Sequence, residues 1–276
     1  MYIWFRKAAM ACLLLLGFGV ALPTTGNTAD QVDTIQSIKD SGVLRVGMAE
    51  SLPMQFKDPA TGGWQGYNAD MAQDLAKILG VKLEIEDATW ATLIPGLLAN
   101  KYDVVMCDMW ATPQRAITVV FTDPYNVYGW SVMVRQGTPY KTWEDLNKPG
   151  IIISVLAGTA DEQTARRYFP NATVKPLVSE NVNAPRLEVA NDRADAVVTD
   201  LLNIKAFIAA NPQAGVRILQ EERVLSPTGL AYAIRPGDYH FLNFLNTWIR
   251  SDVDSGRAQE LRTKWIKDFK WPGQKS

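Results

Sequence analysis

The 276-residue chain is poor in reactive side chains: it has two cysteines and one histidine. Cys12 lies in an apolar N-terminal run, so Cys107 alone would remain in a processed chain, and no disulfide can form within it. Zinc sites built from clustered Cys and His are excluded on the same count. His240 follows Gly237-Asp238-Tyr239 at an expected helix start, which reads as a surface position and gives little support to a Ser-His-Asp or Cys-His mechanism. Charge of one sign is also lacking. Without Arg6 and Lys7 the 28 basic side chains fall by two against 29 acidic ones, a net charge of −3. A mixed, mildly acidic surface lacks the basic stripe that phosphate backbones require, so nucleic acid is not an expected partner. Low-complexity segments, fixed-period repeats and long linkers are missing too. After the N-terminal run, no stretch approaches the roughly 20 apolar residues of a membrane span.

What is present begins with a leader. Arg6 and Lys7 precede the apolar run from Ala8 to Leu22, and small residues follow, a pattern that predicts a cleaved signal peptide over residues 1–29 and export. The remaining length suits one large domain or two lobes.

The spacing then predicts alternating strands and helices. Val43 to Met48 is a glycine-bounded strand, Asn68 to Leu79 has helical periodicity, and Val81 to Ile85 alternates. A helix is expected over Thr92 to Ala99 and a buried strand over Asp103 to Met106. The pattern restarts with an extended Gly129 to Val134, a strand at Ile151 to Leu156, a helix from Glu162 to Tyr168, a helix from Pro185 to Ala190, a buried strand at Ala194 to Thr199 and a helix from Leu201. A late strand at Leu230 to Ile234 and two C-terminal helices close the chain. This order implies α/β architecture in two units linked by two extended segments, with a ligand between them.

The most informative stretch is Asp103 to Tyr125. Thr112 is a good helix N-cap and Pro113 suits the first turn. Arg115 then falls where a cation opposes the helix dipole, a placement that an anion would relieve. The chemistry is an anion site at a strand's carboxyl end; the plainer alternative is an Arg115 that snorkels to solvent or pairs with Asp123.

Taken together, these residues resemble the periplasmic solute-binding proteins of ABC importers for polar amino acids, the family 3 extracellular solute-binding proteins. The matching pieces are Gly42-Val43-Leu44-Arg45-Val46-Gly47, the Gly66-Tyr67 turn with Asp70-Met71-Ala72, Trp90 with Leu93-Ile94-Pro95, Thr112-Pro113-Gln114-Arg115, Phe121-Thr122-Asp123-Pro124-Tyr125, Gly158-Thr159 with Glu162-Gln163, and Ala194-Asp195-Ala196-Val197-Val198-Thr199-Asp200. The resemblance implies a two-lobed periplasmic binding protein fold of type II, each lobe a mainly parallel sheet flanked by helices, with two hinge strands. One lobe would comprise residues 30–129 and 230–276, the other 130–229. It also implies a monomer that needs no cofactor and delivers an amino acid, modified amino acid or amine to a membrane permease.

By the same resemblance Arg115 would grip the ligand's α-carboxylate, helped by Thr159, and Asp200 would take the α-ammonium while also capping the helix from Leu201. Asp108, Trp110, Trp90, Met54 and Asp161 complete the expected ligand-binding set. Three places depart from the family pattern: Cys107-Asp108-Met109-Trp110 stands where small hydroxyl residues are usual, Ser51-Leu52-Pro53-Met54 replaces an aromatic element, and Asn68 replaces an acid. Asp108 and Trp110 lead us to expect a cationic or ring-bearing solute. An enzyme of the same fold is the competing reading: cyclohexadienyl (arogenate/prephenate) dehydratases use a carboxylic acid after a Gly-Thr turn as a proton donor, and Asp161 occupies a comparable place.

Overall fold

The computed structural model describes residues 33–267; the expected leader, residues 1–29, and the C-terminal Phe269 to Pro272 lie outside the described residues. The chain forms α1 (Thr34–Ser41), β1 (Val43–Met48), a hairpin of β2 (Phe56–Lys57) and β3 (Trp64–Gln65), α2 (Tyr67–Leu79), β4 (Lys82–Asp87), α3 (Leu93–Leu98), β5 (Val104–Val105), the single-turn α4 (Pro113–Ala116) and β6 (Val120–Phe121). The long β7 (Asn126–Arg135) enters a second sheet, followed by β8 (Ile152–Leu156), α5 (Ala160–Tyr168), β9 (Thr173–Leu177), α6 (Ala184–Ala190), β10 (Ala196–Asp200), α7 (Leu201–Ala210), β11 (Val216–Leu219) and β12 (Leu225–Leu230). Then β13 (Ala233–Ile234) returns to the first sheet, and α8 (Tyr239–Asp254) and α9 (Arg257–Arg262) pack at the end.

The molecule is two-lobed, with one sheet per lobe. The first sheet has the order β4-β1-β5-β13-β6 and the second β11-β7-β10-β8-β9, with β12 also paired to β7. In the first, β4, β1 and β5 are parallel and β13 joins antiparallel. In the second only β9, β8 and β10 are parallel, whereas β7 meets β10, β11 and β12 antiparallel, so this sheet is more mixed than expected. The sequence hides this because residues 129–134 of β7 are buried on both faces, and such a segment carries no directional signal.

The crossing segments run side by side, with Asn126 opposite Leu230 and Val127 opposite Gly229. A Cβ at Gly229 would come within 2.7 Å of the Pro124 ring, so the close approach there requires glycine. The expected single strand from Leu230 to Ile234 is split, because Ala231 and Tyr232 turn the chain from one sheet into the other.

Local chemistry explains the elements that matter for function. Thr112 caps α4, accepting from the Arg115 N–H, and Pro113 takes the first turn. Asp200 ends β10 and caps α7. Gly66, at φ 114°, starts α2 where a Cβ would strike the Met54 carbonyl at 2.6 Å. All five residues of β10 are buried, which places Asp200 at the rim of an apolar strand.

Candidate functional site

One cavity gathers most of the expected residues. Arg115, Asp200, Thr159, Asp108, Trp110, Trp90 and Asp161 all line it, together with Glu50, Ser51, Arg186 and Asn203. It lies between the lobes and takes its lining from both of them. The first lobe contributes Asp108, Trp110 and Arg115 from the segment after β5, whereas Thr159 and Asp161 begin α5 and Asp200 ends β10 in the second. Met54 is the exception. It is 1% exposed in the apolar core, and its carbonyl receives the Asn68 N–H at 2.8 Å, so it belongs to the foundation of the site and not to its lining.

Arg115 lies at the end of α4, partly buried, and donates from Nη1 to the Trp110 carbonyl at 3.2 Å. Asp123, the alternative partner, pairs instead with Arg250 at 2.8 Å. A four-residue helix has almost no macrodipole, so attraction for an anion rests on the guanidinium and not on the helix end. Burial lowers the Arg115 pKa, and the charges of Asp161 and Asp108 oppose that shift.

Besides Glu50, three aspartates line the cavity, and burial raises the pKa of each of the three. Asp200 is pushed up to about 8 by desolvation and by the neighbouring charge of Asp108. Its two helix-cap bonds, from Leu202 N–H at 2.6 Å and Asn203 N–H at 3.3 Å, both fall on Oδ1. Asp108 is raised to about 6, mainly by desolvation, with Ser51 and Gln55 holding it down. Asp161 is also raised by desolvation, although Thr199 and Trp130 donate to its two oxygens at 2.8 and 2.7 Å. Its neighbour Glu162 faces away, accepting from the Gly158 N–H at 3.0 Å and from Arg166. The Thr159 hydroxyl donates to the Leu156 carbonyl at 2.7 Å and shapes the turn into α5.

The two departures that suggested a cationic or ring-bearing ligand, Asp108 and Trp110, are engaged by the protein. Asp108 receives the Ser51 hydroxyl at 2.6 Å and the Gln55 amide at 2.7 Å. Trp110 stacks on Trp130 with ring centroids 4.0 Å apart. Behind Asp108 a buried network continues: Asn68 donates to Gln55 at 2.7 Å and to Tyr125 at 3.1 Å, and Tyr232 donates to Asn68 at 3.0 Å. Cys107 lies beneath the site, fully buried, with its thiol pushed far up by desolvation. The indole N–H of Trp90 is held by the Glu50 carbonyl at 3.0 Å.

Sequence reasoning missed Arg186, Ser51 and Asn203. Arg186 sits in an otherwise amphipathic helical stretch, and a lone basic residue there gives no signal of burial. Ser51 and Asn203 matter because they touch: Asn203 Nδ2 donates to the Ser51 hydroxyl at 3.2 Å, joining the lobes. Among the described residues no group of three His, Cys, Asp or Glu side chains could hold a metal ion, and no helix is long and apolar enough to cross a membrane.

Residues 44–268 match the bacterial extracellular solute-binding proteins, family 3. The chain is similar to a cyclohexadienyl dehydratase of Pseudomonas aeruginosa, 24% identical over 96% of this chain and 94% of that protein. It is also similar to the ABC transporter arginine-binding protein 1 of Escherichia coli K12, 30% identical over 73% of this chain and 81% of that one. Among solved structures it resembles an ancestral amino acid-binding protein described as a precursor of cyclohexadienyl dehydratase, with a TM-score of 0.77 and 36% identity over 85% of this chain and 100% of the other.

Proposed function

The chain belongs to the bacterial extracellular solute-binding proteins, family 3, and from that premise we propose that it is a monomeric periplasmic receptor. It captures an amino-acid-like zwitterion between its lobes and delivers it to the membrane permease of an ABC importer, without chemical turnover. The observation that carries this reading is the placement of Arg115 and Asp200 on one cavity, each supplied by a different lobe. A guanidinium fork orients a carboxylate, and an acid on the other side receives an ammonium, so a bound zwitterion links the lobes and favours closure. Asp200 has one oxygen committed to its helix cap, which leaves Oδ2 for the ammonium. A thermal-shift and calorimetric screen of amino acids, modified amino acids and amines tests the reading. It predicts saturable one-to-one binding of at least one zwitterion, and uniform failure across zwitterions sinks it.

One observation favours a second reading. Asp161 is a carboxylic acid with a raised pKa, lining the interlobe cavity after the Gly158-Thr159 turn, and a proton donor at neutral pH needs such a group. The similarity to a cyclohexadienyl dehydratase points the same way. Against it, the Thr199 and Trp130 donors engage both Asp161 oxygens and favour the ionised form, opposing the rise that desolvation causes.

A further inference from the structure

Two arginines line the interlobe cavity, and Arg186 has no part in the reading above. It stands in the first turn of α6 with 4% of its surface exposed. Its guanidinium is held entirely by neutral groups. Nε donates to the Asn183 side-chain oxygen at 3.0 Å, Nη2 donates to the Val182 carbonyl at 2.8 Å, and its central carbon lies 6.0 Å from the centroid of the Phe207 ring. Asp161 and Asp200 support its charge only through space. Among the described residues it forms no ion pair, and Nη1 has no protein acceptor.

That arrangement is costly unless something completes it. Taking a guanidinium out of water loses hydration that neutral acceptors only partly replace, and buried charges are normally paired for that reason. Desolvation accordingly pulls the Arg186 pKa down to about 10. The cavity's own acids do not fill the gap. Asp161 serves Arg115 and Arg186 together, and both of its oxygens already accept from Thr199 and Trp130. Asp108 is bound by Ser51 and Gln55.

We infer that Arg186 is a second anion anchor, and that the solute is an amino-acid-like zwitterion carrying an additional carboxylate. The inference rests on the assignment of Arg115 and Asp200 to the α-groups of the ligand. Arg115 reaches the cavity from the first lobe and Arg186 from α6 of the second, with Asp161 influencing both, so the two guanidiniums suit two carboxylates of one molecule. Arg is the side chain for this task because its planar fork remains charged when buried and matches a carboxylate with paired donors. This inference favours an acidic solute over the cationic or ring-bearing one expected from Asp108 and Trp110.

Calorimetry with matched probes tests this. Aspartate is compared with asparagine, glutamate with glutamine, and N-(1-carboxyethyl)lysine with lysine, on wild type, Arg186→Met and Arg115→Ala. We expect at least one acid to bind wild type about tenfold or more tightly than its counterpart. That ratio should collapse by a similar factor in Arg186→Met. Acids that bind no better than their counterparts overturn the inference, as does a preference that survives Arg186→Met. The wild-type comparison decides the matter even if Arg186→Met fails to fold. Loss of all binding in Arg115→Ala, with no acid preference in wild type, would reject the Arg186 assignment alone; unchanged binding in Arg115→Ala would reject the α-carboxylate assignment and this inference with it.

Discussion

The Ser51 hydroxyl donates to the Asp108 carboxylate at 2.6 Å and accepts the Asn203 amide at 3.2 Å from the other lobe. A serine before a cis Leu52-Pro53 bond thereby holds an acid and the opposite lobe together. The Ser51 bond favours the ionised form of Asp108, whose pKa is about 6. Ser51→Ala should therefore cost about 1–2 kcal/mol of stability, and more at pH 7.5 than at pH 5, where Asp108 carries a proton. Urea denaturation at the two pH values measures this; an equal loss at both would show that the hydroxyl does not stabilise the charged form.

Arg115→Ala should weaken binding of the zwitterion by about 2–5 kcal/mol, roughly thirtyfold to several-thousandfold. The fold should be little affected, because Arg115 makes one weak side-chain bond to the protein, to the Trp110 carbonyl at 3.2 Å. Calorimetry beside a thermal melt separates the two effects. Binding within a few-fold of wild type would reduce Arg115 to a surface residue.

Much of the architecture was legible because strong local signals agree with the tertiary structure. Thr112-Pro113 starts a helix, Gly158-Thr159 turns into another, and the β-branched runs at Ile152 and Val197 become buried strands. The direction of β7 was not legible, since strand direction depends on pairing partners remote in sequence. At the site, the helix-start pattern pointed to Arg115 and the family resemblance to Asp200, but neither could reveal that three separate departures form one network. Ser51, Asp108, Gln55 and Asn68 are linked by hydrogen bonds across sequence separations of up to 57 residues. Asn68 in place of an acid now has a reason: its amide donates to Gln55 and Tyr125 and its oxygen accepts from Tyr232, roles that a carboxylate could not combine. Arg186 was invisible because burial of a charge is a tertiary fact.

Asp200 sets a pH dependence with a definite sign. Its pKa rises from an ordinary value near 4 in the unfolded chain to about 8 in the fold, so the folded state holds the extra proton between those values. Its contribution to stability is complete below about pH 4 and is lost as pH rises through about 8. Asp200→Asn removes this dependence while keeping the cap on α7, because Asn caps as well as Asp. The ligand-free variant should gain stability relative to wild type between pH 5 and pH 8.5, read as a difference in melting temperature at constant salt. Identical pH slopes for the two proteins would place the Asp200 pKa near its ordinary value.

The last prediction separates receptor from enzyme. Protonation of Asp161 would permit a dehydratase step, in which the acid delivers a proton to a departing hydroxide as carbon dioxide is lost from the ring. The Thr199 hydroxyl and Trp130 indole stabilise the ionised carboxylate, and a donor must be protonated when substrate is bound. The nearby charges of Arg186 and Arg115 pull in the same direction, opposing the rise caused by desolvation. Incubation with prephenate or arogenate should therefore yield no phenylpyruvate or phenylalanine above background, whereas binding without turnover is compatible with the two arginines. Trp130→Phe removes one of the two donors and should raise the Asp161 pKa further, yet still give no product, because a raised pKa alone does not place a leaving group beside the acid. Robust product formation by wild type that disappears in Asp161→Asn would overturn the receptor reading and make Asp161 a catalytic acid.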